Sequence, residues 1–329
     1  MSERIGFTTT VPVEAILAAG AVPVDLNNWF ITSPERDRLL EEAEDRGIPA
    51  SACTWIKGLY AAIRRRAVDR VIVVLEGDCS NTHALAELLE HEGVEPIPFR
   101  FPYDRDPERL AQELGNLCQA LGTSVDAAET VREELQGLRR DLQALDCAAW
   151  EGNRLPFAVV RDLQLASSDF RCDINVFRAE VREALERAEV TSVPPLDAGV
   201  RVALAGVPTA FDDLVQSVEQ AGGRVVLDEM PRQFAMPFPE ARSLLEQYLD
   251  YTYPYDAFHR LRDLEAEVHR RRVQGVVHYV QAFCHRQIED VVLRERLGLP
   301  VLTLEGDRPG PLDERSRVRL QAFLEVLGD

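Results

Sequence analysis

Cysteine carries the most versatile chemistry in this chain, because its thiolate both binds soft metals and attacks electrophiles. Six cysteines occur among 329 residues. Cys284 follows the apolar run Val276 to Val280, which reads as a buried strand. Cys79 follows the run Val71 to Leu75 by way of Glu76-Gly77-Asp78. Cys53 opens an apolar helical pattern holding Trp55, Leu59 and Ile63. Open α/β sheets bind ligands outside the carboxyl ends of their strands, which is where the pattern delivers Cys79 and Cys284. A helix start favours a thiolate at Cys53 through the local dipole. Two such thiols near the front and one near the rear suggest one site built from both halves of the chain. On these residues alone two readings stand side by side. One is a metal site; the other is ordinary burial, since buried cysteine is common and inert. The three lack the C-x-x-C spacing of zinc ribbons and ferredoxins. Cys118, Cys147 and Cys172 lie in helical or connecting stretches and read as buried.

The elements that must position these thiols alternate. Ile5-Gly6-Phe7 is a strand candidate, Pro12 opens a helix from Val13 to Ala19, and Val22 to Leu26 is again extended. A charged helix from Ser33 to about Arg46 and the Trp55 helix lead to the strand Arg70 to Leu75. A helix from about Thr82 to Glu90 and the strand Glu95 to Phe99 follow. Such alternation predicts a parallel sheet covered on both faces. From Pro107 to about Arg187 the pattern is helical, with Leu135, Leu138, Leu142 and Leu145 at core-facing spacing. Val193-Pro194-Pro195 is the linker candidate. Strands at 201–206, 224–229, 276–280 and 300–307, with helices at 210–221, 255–272 and 314–327, make a second α/β half. Its first turn, Gly206-Val207-Pro208-Thr209-Ala210, lacks the G-x-G-x-x-G series, so the fold is expected without a bound dinucleotide.

Composition removes several function classes. A net charge of −19 repels nucleic acid and anionic lipid, so neither is expected as a partner. The 46% hydrophobic content is ordinary for a globular chain and no run reaches membrane-spanning length. No basic run leads into a cleavable leader, so a cytoplasmic location is expected, where disulfides are rare. Length sets a prior of two domains.

The chain resembles the D-component family of 2-hydroxyacyl-CoA dehydratases, which includes 2-hydroxyglutaryl-CoA dehydratase, benzoyl-CoA reductase subunits and double-cubane cluster proteins. The resemblance rests on Pro12-Val13-Glu14-Ala15-Ile16 through Gly20 and Pro23, and on Cys53 with Lys57 and Gly58. It continues through Val71 to Leu75 leading to Cys79, Gly275-Val276-Val277 leading to Cys284, Gly298 to Asp307, and the closing Arg315 to Glu325. It implies that Cys53, Cys79 and Cys284 hold a [4Fe-4S] cluster with one iron left open, whereas electron-transfer clusters are usually closed by four cysteines. It further implies an ATP-hydrolysing iron–sulfur activator, an acyl-CoA substrate, a homodimer or a heterodimer with a related subunit, and radical elimination of water from a 2-hydroxyacyl-CoA thioester. A double-cubane ATP-dependent reductase and a non-catalytic electron-relay subunit are the alternatives. Glu76, Asn81, His83 and His285 are candidates for proton transfer near the cluster. The expected fold class is α/β, two Rossmann-like parallel-sheet domains with a helical middle region. Residues 1–195 would carry Cys53 and Cys79, and residues 196–329 would carry Cys284.

Overall fold

The computed structural model describes residues 2–191, 199–281 and 283–328. The front of the chain forms β1 (Arg4–Phe7), α1 (Val13–Ala18), β2 (Val22–Asp25), α2 (Leu26–Ile31), α3 (Arg36–Asp45), α4 (Thr54–Arg64), β3 (Arg70–Glu76), α5 (Ser80–His91), β4 (Ile97–Arg100) and α6 (Pro107–Leu121). The middle is α7 (Val125–Trp150), α8 (Phe157–Ala166), a 3-10 turn (Phe170–Cys172) and α9 (Ile174–Val190). The rear forms β5 (Val200–Gly206), α10 (Leu214–Gln220), β6 (Gly223–Asp228), α11 (Glu229–Phe234), α12 (Leu244–Asp250), α13 (Ala257–Arg270), β7 (Gly275–Val280), α14 (Arg286–Leu297), β8 (Val301–Glu305) and α15 (Glu314–Gly328).

These elements build two four-stranded sheets, both all-parallel, with the same strand order: β2-β1-β3-β4 and β6-β5-β7-β8. The expected α/β architecture with two Rossmann-like sheets is therefore present. The strands read as continuous apolar runs because both faces are covered. Val71 to Val74 and Val276 to Val280, the latter including His278, are buried throughout.

The chain divides into two compact units. The first comprises Met1–Arg139, Ala166–Arg178 and Met236–Asp256, and the second Arg140–Leu165, Ala179–Ala235 and Ala257–Asp329. In the first, α4 places Ile56, Leu59, Tyr60 and Ile63 in one core cluster with Val71 and Val73 of β3 and Leu85 and Leu89 of α5. In the second, Leu261, Leu264 and Val268 of α13 join Leu293 of α14 in a cluster with Ala203, Val226 and Val276 of the sheet. The four leucines of the helical middle, Leu135 to Leu145, are all buried in α7. The Val193–Pro195 linker candidate and the 195/196 boundary lie outside the described residues.

Several local expectations are corrected. Val22 to Leu26 is not extended to its end: Asp25 accepts the amide of Asn27 at 2.9 Å and caps α2, which begins at Leu26. A short polar side chain in that position accepts helix amides better than the ladder accepts another strand residue. The charged helix begins at Arg36 rather than Ser33, and the helix expected over 210–221 shortens to Leu214–Gln220. Two further short helices, α11 and α12, arise where no periodic pattern is long enough to announce them.

Gly206 ends β5 with φ +102°, and a Cβ built there would stand 2.1 Å from the carbonyl oxygen of Tyr279 on the neighbouring strand. Only glycine allows this approach. Gly206→Ala is expected to lower stability by about 3 kcal/mol through backbone strain, read as a drop in the urea midpoint.

Candidate functional site

In each sheet the third strand of the chain lies next to the first, and a cysteine follows that third strand. Cys79 ends the turn after β3 and is the residue before α5; Cys284 lies in the turn between β7 and α14. The two occupy equivalent places in two sheets of identical order. Cys53 is the residue before α4. In a parallel sheet each crossover helix runs back against the strands, so its amino end stands at the carboxyl edge. Cys53 and Cys79 therefore share the carboxyl edge of the first sheet. All three thiols are half-buried, and none of the six cysteines is in a disulfide.

Local contacts hold each turn. Lys57, 1% exposed, donates to Glu44 at 2.8 Å and to the carbonyl of Ala50 at 2.9 Å, tying α4 to α3 and to the loop before Cys53. Burial of a lysine needs this pairing, and it fixes the approach to Cys53. Asp78 accepts the amide of Cys79 at 2.8 Å and the hydroxyl of Thr82 at 2.9 Å. Burial and the Asp78 charge push the Cys79 thiol up, while the amides of Asn81 and Thr82 at the start of α5 pull the other way. Gly77, φ +99°, lies under Phe101 and Pro254: a Cβ there would stand 2.7 Å from that of Pro254. The tyrosine-rich segment around Pro254 is a feature the linear reading missed. Tyr248 donates to Glu14 at 2.8 Å, and Glu14, wholly buried on α1, also accepts from Arg139 at 2.5 Å and Gln247 at 2.8 Å. Burial pushes the Glu14 carboxyl up, but Arg139 with the Gln247 and backbone hydrogen bonds together outweigh it and hold it below its ordinary value.

In the second unit the Cys284 amide donates to the carbonyl of Gln281 at 3.1 Å, and the Cys284 carbonyl accepts from Gln287 at 3.0 Å. The amide of Gly206 donates to Glu229 at 3.2 Å. A carboxylate there disfavours a phosphate at the turn where a dinucleotide fold would hold one. Of the proton-transfer candidates, Glu76 accepts from Arg109 and from the amide of Tyr103. Asn81 and His83 are exposed on the first turn of α5, and His285 is half-exposed, 3.9 Å from Glu289. Cys118 is buried within α6, Cys147 lies within α7, and Cys172 closes the 3-10 turn. The Cys172 thiol donates to Asp169 at 4.0 Å and is pushed up to about 11, by burial first and by the Asp169 charge second. Among the described residues no group of three or more His, Cys, Asp or Glu stands close enough to hold a metal ion. No described helix is long and apolar enough to cross a membrane.

A second missed feature is a buried carboxylate pair. Asp169 accepts the amide of Asp25 at 3.0 Å, and Asp25 accepts the hydroxyl of Ser168 at 2.7 Å. Phe170, Arg171 and Cys172 then follow with φ of +54°, +52° and +60°. Three consecutive non-glycine residues in the left-handed region are costly, and the buried carboxylate ties the turn down: Asp169 also accepts the amide of Arg171 at 3.0 Å.

Comparison with known proteins places the chain. The family model for 2-hydroxyglutaryl-CoA dehydratase, D-component, matches residues 8–327, which bears out the resemblance to that family. No curated protein matches the chain.

Burial, with the Asp25 charge second, raises the Asp169 carboxyl to about 7. In the unfolded chain the group titrates near 3.8. Between these values the folded state holds a proton that the unfolded state has released. Its contribution is full below about pH 4 and is lost as pH rises through about 7. Stability should fall by up to about 4 kcal/mol over that window, and Asp169→Asn should flatten the slope. Urea unfolding at pH 5 and pH 8 for both proteins checks this.

Proposed function

The chain belongs to the 2-hydroxyglutaryl-CoA dehydratase D-component family, and from that premise we propose that it is the iron–sulfur subunit of a 2-hydroxyacyl-CoA dehydratase-like enzyme. The observation that carries the proposal is the repeated delivery of a half-buried cysteine after the third strand of two equally ordered sheets, with Cys53 beside the first of them. Cys53, Cys79 and Cys284 are the proposed ligands of one [4Fe-4S] cluster. Their chemistry fits: each thiol stands at the amino end of a helix, where unsatisfied N–H groups and the dipole favour an anion, and none is tied up in a disulfide.

When bound, such a cluster supplies one low-potential electron and an open iron. An ATP-hydrolysing activator provides that electron. With that electron borrowed and restored, the net change would be loss of water from the 2-hydroxyacyl thioester, with no net redox change. The chain's own residues hold the site in shape. Lys57 fixes the approach to Cys53, Asp78 orders the turn at Cys79, and Phe101 with Pro254 covers the backbone at Gly77. Exclusion of water is the service a reactive substrate radical needs from the protein. The acidic surface suits a soluble cytoplasmic protein that works with a second D-component, either its own copy or a related subunit.

Six Cys→Ser variants, reconstituted anaerobically with iron and sulfide, test the ligand set. Substitution at 53, 79 or 284 should cost most of the bound iron and the cluster's visible absorbance; substitution at 118, 147 or 172 should leave both unchanged. Full iron retention in Cys284→Ser ends the proposal.

A further inference from the structure

In the second unit a chain of buried charges ends on the turn that carries Cys284. Arg260, 2% exposed on the first turns of α13, donates through two nitrogens to Glu229, at 2.5 and 2.7 Å. Its third nitrogen reaches Glu289 on the first turn of α14 at 2.6 Å. The same Glu289 oxygen accepts from Arg286, itself 2% exposed, at 2.8 Å. Glu229 also accepts the amide of Gly206. One guanidinium thus joins the end of β5, the start of α11 just past β6, and the start of α14, all at the carboxyl edge of this sheet.

The segment it secures is strained. Phe283, immediately before Cys284, has φ +59° and is 83% exposed, so its own side chain does nothing to hold the turn. A left-handed non-glycine residue persists only where its surroundings over-determine it. One leg of the turn is fixed by Gln281, which donates to the Tyr279 hydroxyl at 2.7 Å, and that hydroxyl donates to the carbonyl of Gly306 at 3.1 Å. The other leg is the start of α14, which the Arg260–Glu289 ion pair ties to α13, while the next residue, Asp290, lies 2.9 Å from His278 of β7 and accepts from Thr303 of β8 at 2.7 Å.

We propose that Arg260 is a positioning residue for Cys284: through Glu289 and Arg286 it clamps the start of α14 and holds the thiol in a preset place. A bidentate guanidinium is suited to this because its planar fork fixes the carboxylate's orientation as well as its distance. The consequence concerns the proposed cluster site and rests on the reading of Cys284 as a ligand. The clamp itself does not depend on that reading.

A control lies past the other end of α13. Arg271, wholly buried just beyond the far end of α13, donates to Asp146 at 2.5 and 3.0 Å, to Glu267 at 2.7 Å and to the carbonyl of Val226 at 2.7 Å. Its loss also strips a buried ion network but leaves the Cys284 turn untouched. The experiment compares wild type, Arg260→Met, Arg260→Lys and Arg271→Met as full-length, metal-free, reduced protein. Iodoacetamide labelling of each cysteine is followed by mass spectrometry under native conditions. In Arg260→Met, Cys284 should label about tenfold faster than in wild type, as expected when a clamped turn gains access to locally open states. Arg260→Lys should fall between the two. Labelling of Cys53 and Cys79 should not change, and Arg271→Met should match wild type at Cys284. Equal Cys284 rates in wild type and Arg260→Met overturn the proposal, as does an equal rise in Arg271→Met. If Arg260→Met does not fold, the Lys variant and Glu289→Gln carry the same comparison. Iron retention by Cys284→Ser bears only on the ligand reading, so the two failures are separate.

Discussion

Parallel strands cannot be joined by a hairpin; each pair needs a crossover that carries the chain back along the face of the sheet. The rest of this molecule follows from that constraint. Every crossover helix must begin at the carboxyl edge, so every turn between a strand and the next helix brings together a strand end and a set of unpaired amides. Cys79 and Cys284 lie in such turns, and Cys53 stands at the start of the helix that leads into β3. The same strand order in both sheets makes the first two equivalent by topology rather than by sequence similarity. A thiolate or an anionic cluster gains from that position without any added cation, because the amides are already oriented.

Charge inside the two units is handled in two different ways. Glu14 with Arg139 and Arg260 with Glu229 are opposite charges buried in direct contact, and buried Lys57 pairs with a half-buried Glu44. Removing one member of such a pair strands the other, which is why they bind their elements firmly even where the pair itself adds little net stability. Asp25 and Asp169 are like charges buried together, and their environment is satisfied only while a proton is retained. The first arrangement resists pH; the second responds to it.

The elements around the cysteines were readable along the chain. Val71 to Val74 and Val276 to Val280 are apolar runs bounded by charge and glycine, which is the pattern of a strand covered on both faces, and the structure buries all of them. The long middle helix declared itself by four leucines at helical spacing. By contrast α2, α11 and α12 span six or seven residues each, under two turns, so no amphipathic period can develop. Arg260 was invisible for a related reason: it sits in the run Ala257 to Arg272 among several arginines, and nothing local separates the two buried ones, Arg260 and Arg271, from the exposed ones.

The amino-acid sequence by itself therefore determined the alternation of strand and helix, the two parallel sheets and the turns that hold Cys53, Cys79 and Cys284, because each is written in the period and punctuation of neighbouring residues. Tertiary structure alone decided which segments return to which unit, that Asp25 meets Asp169, and that Arg260 reaches the Cys284 turn. Those contacts join residues separated by 29 to 144 positions. They are set by which strands pair and which helix faces them, a property of the packed sheet that no local window of sequence contains.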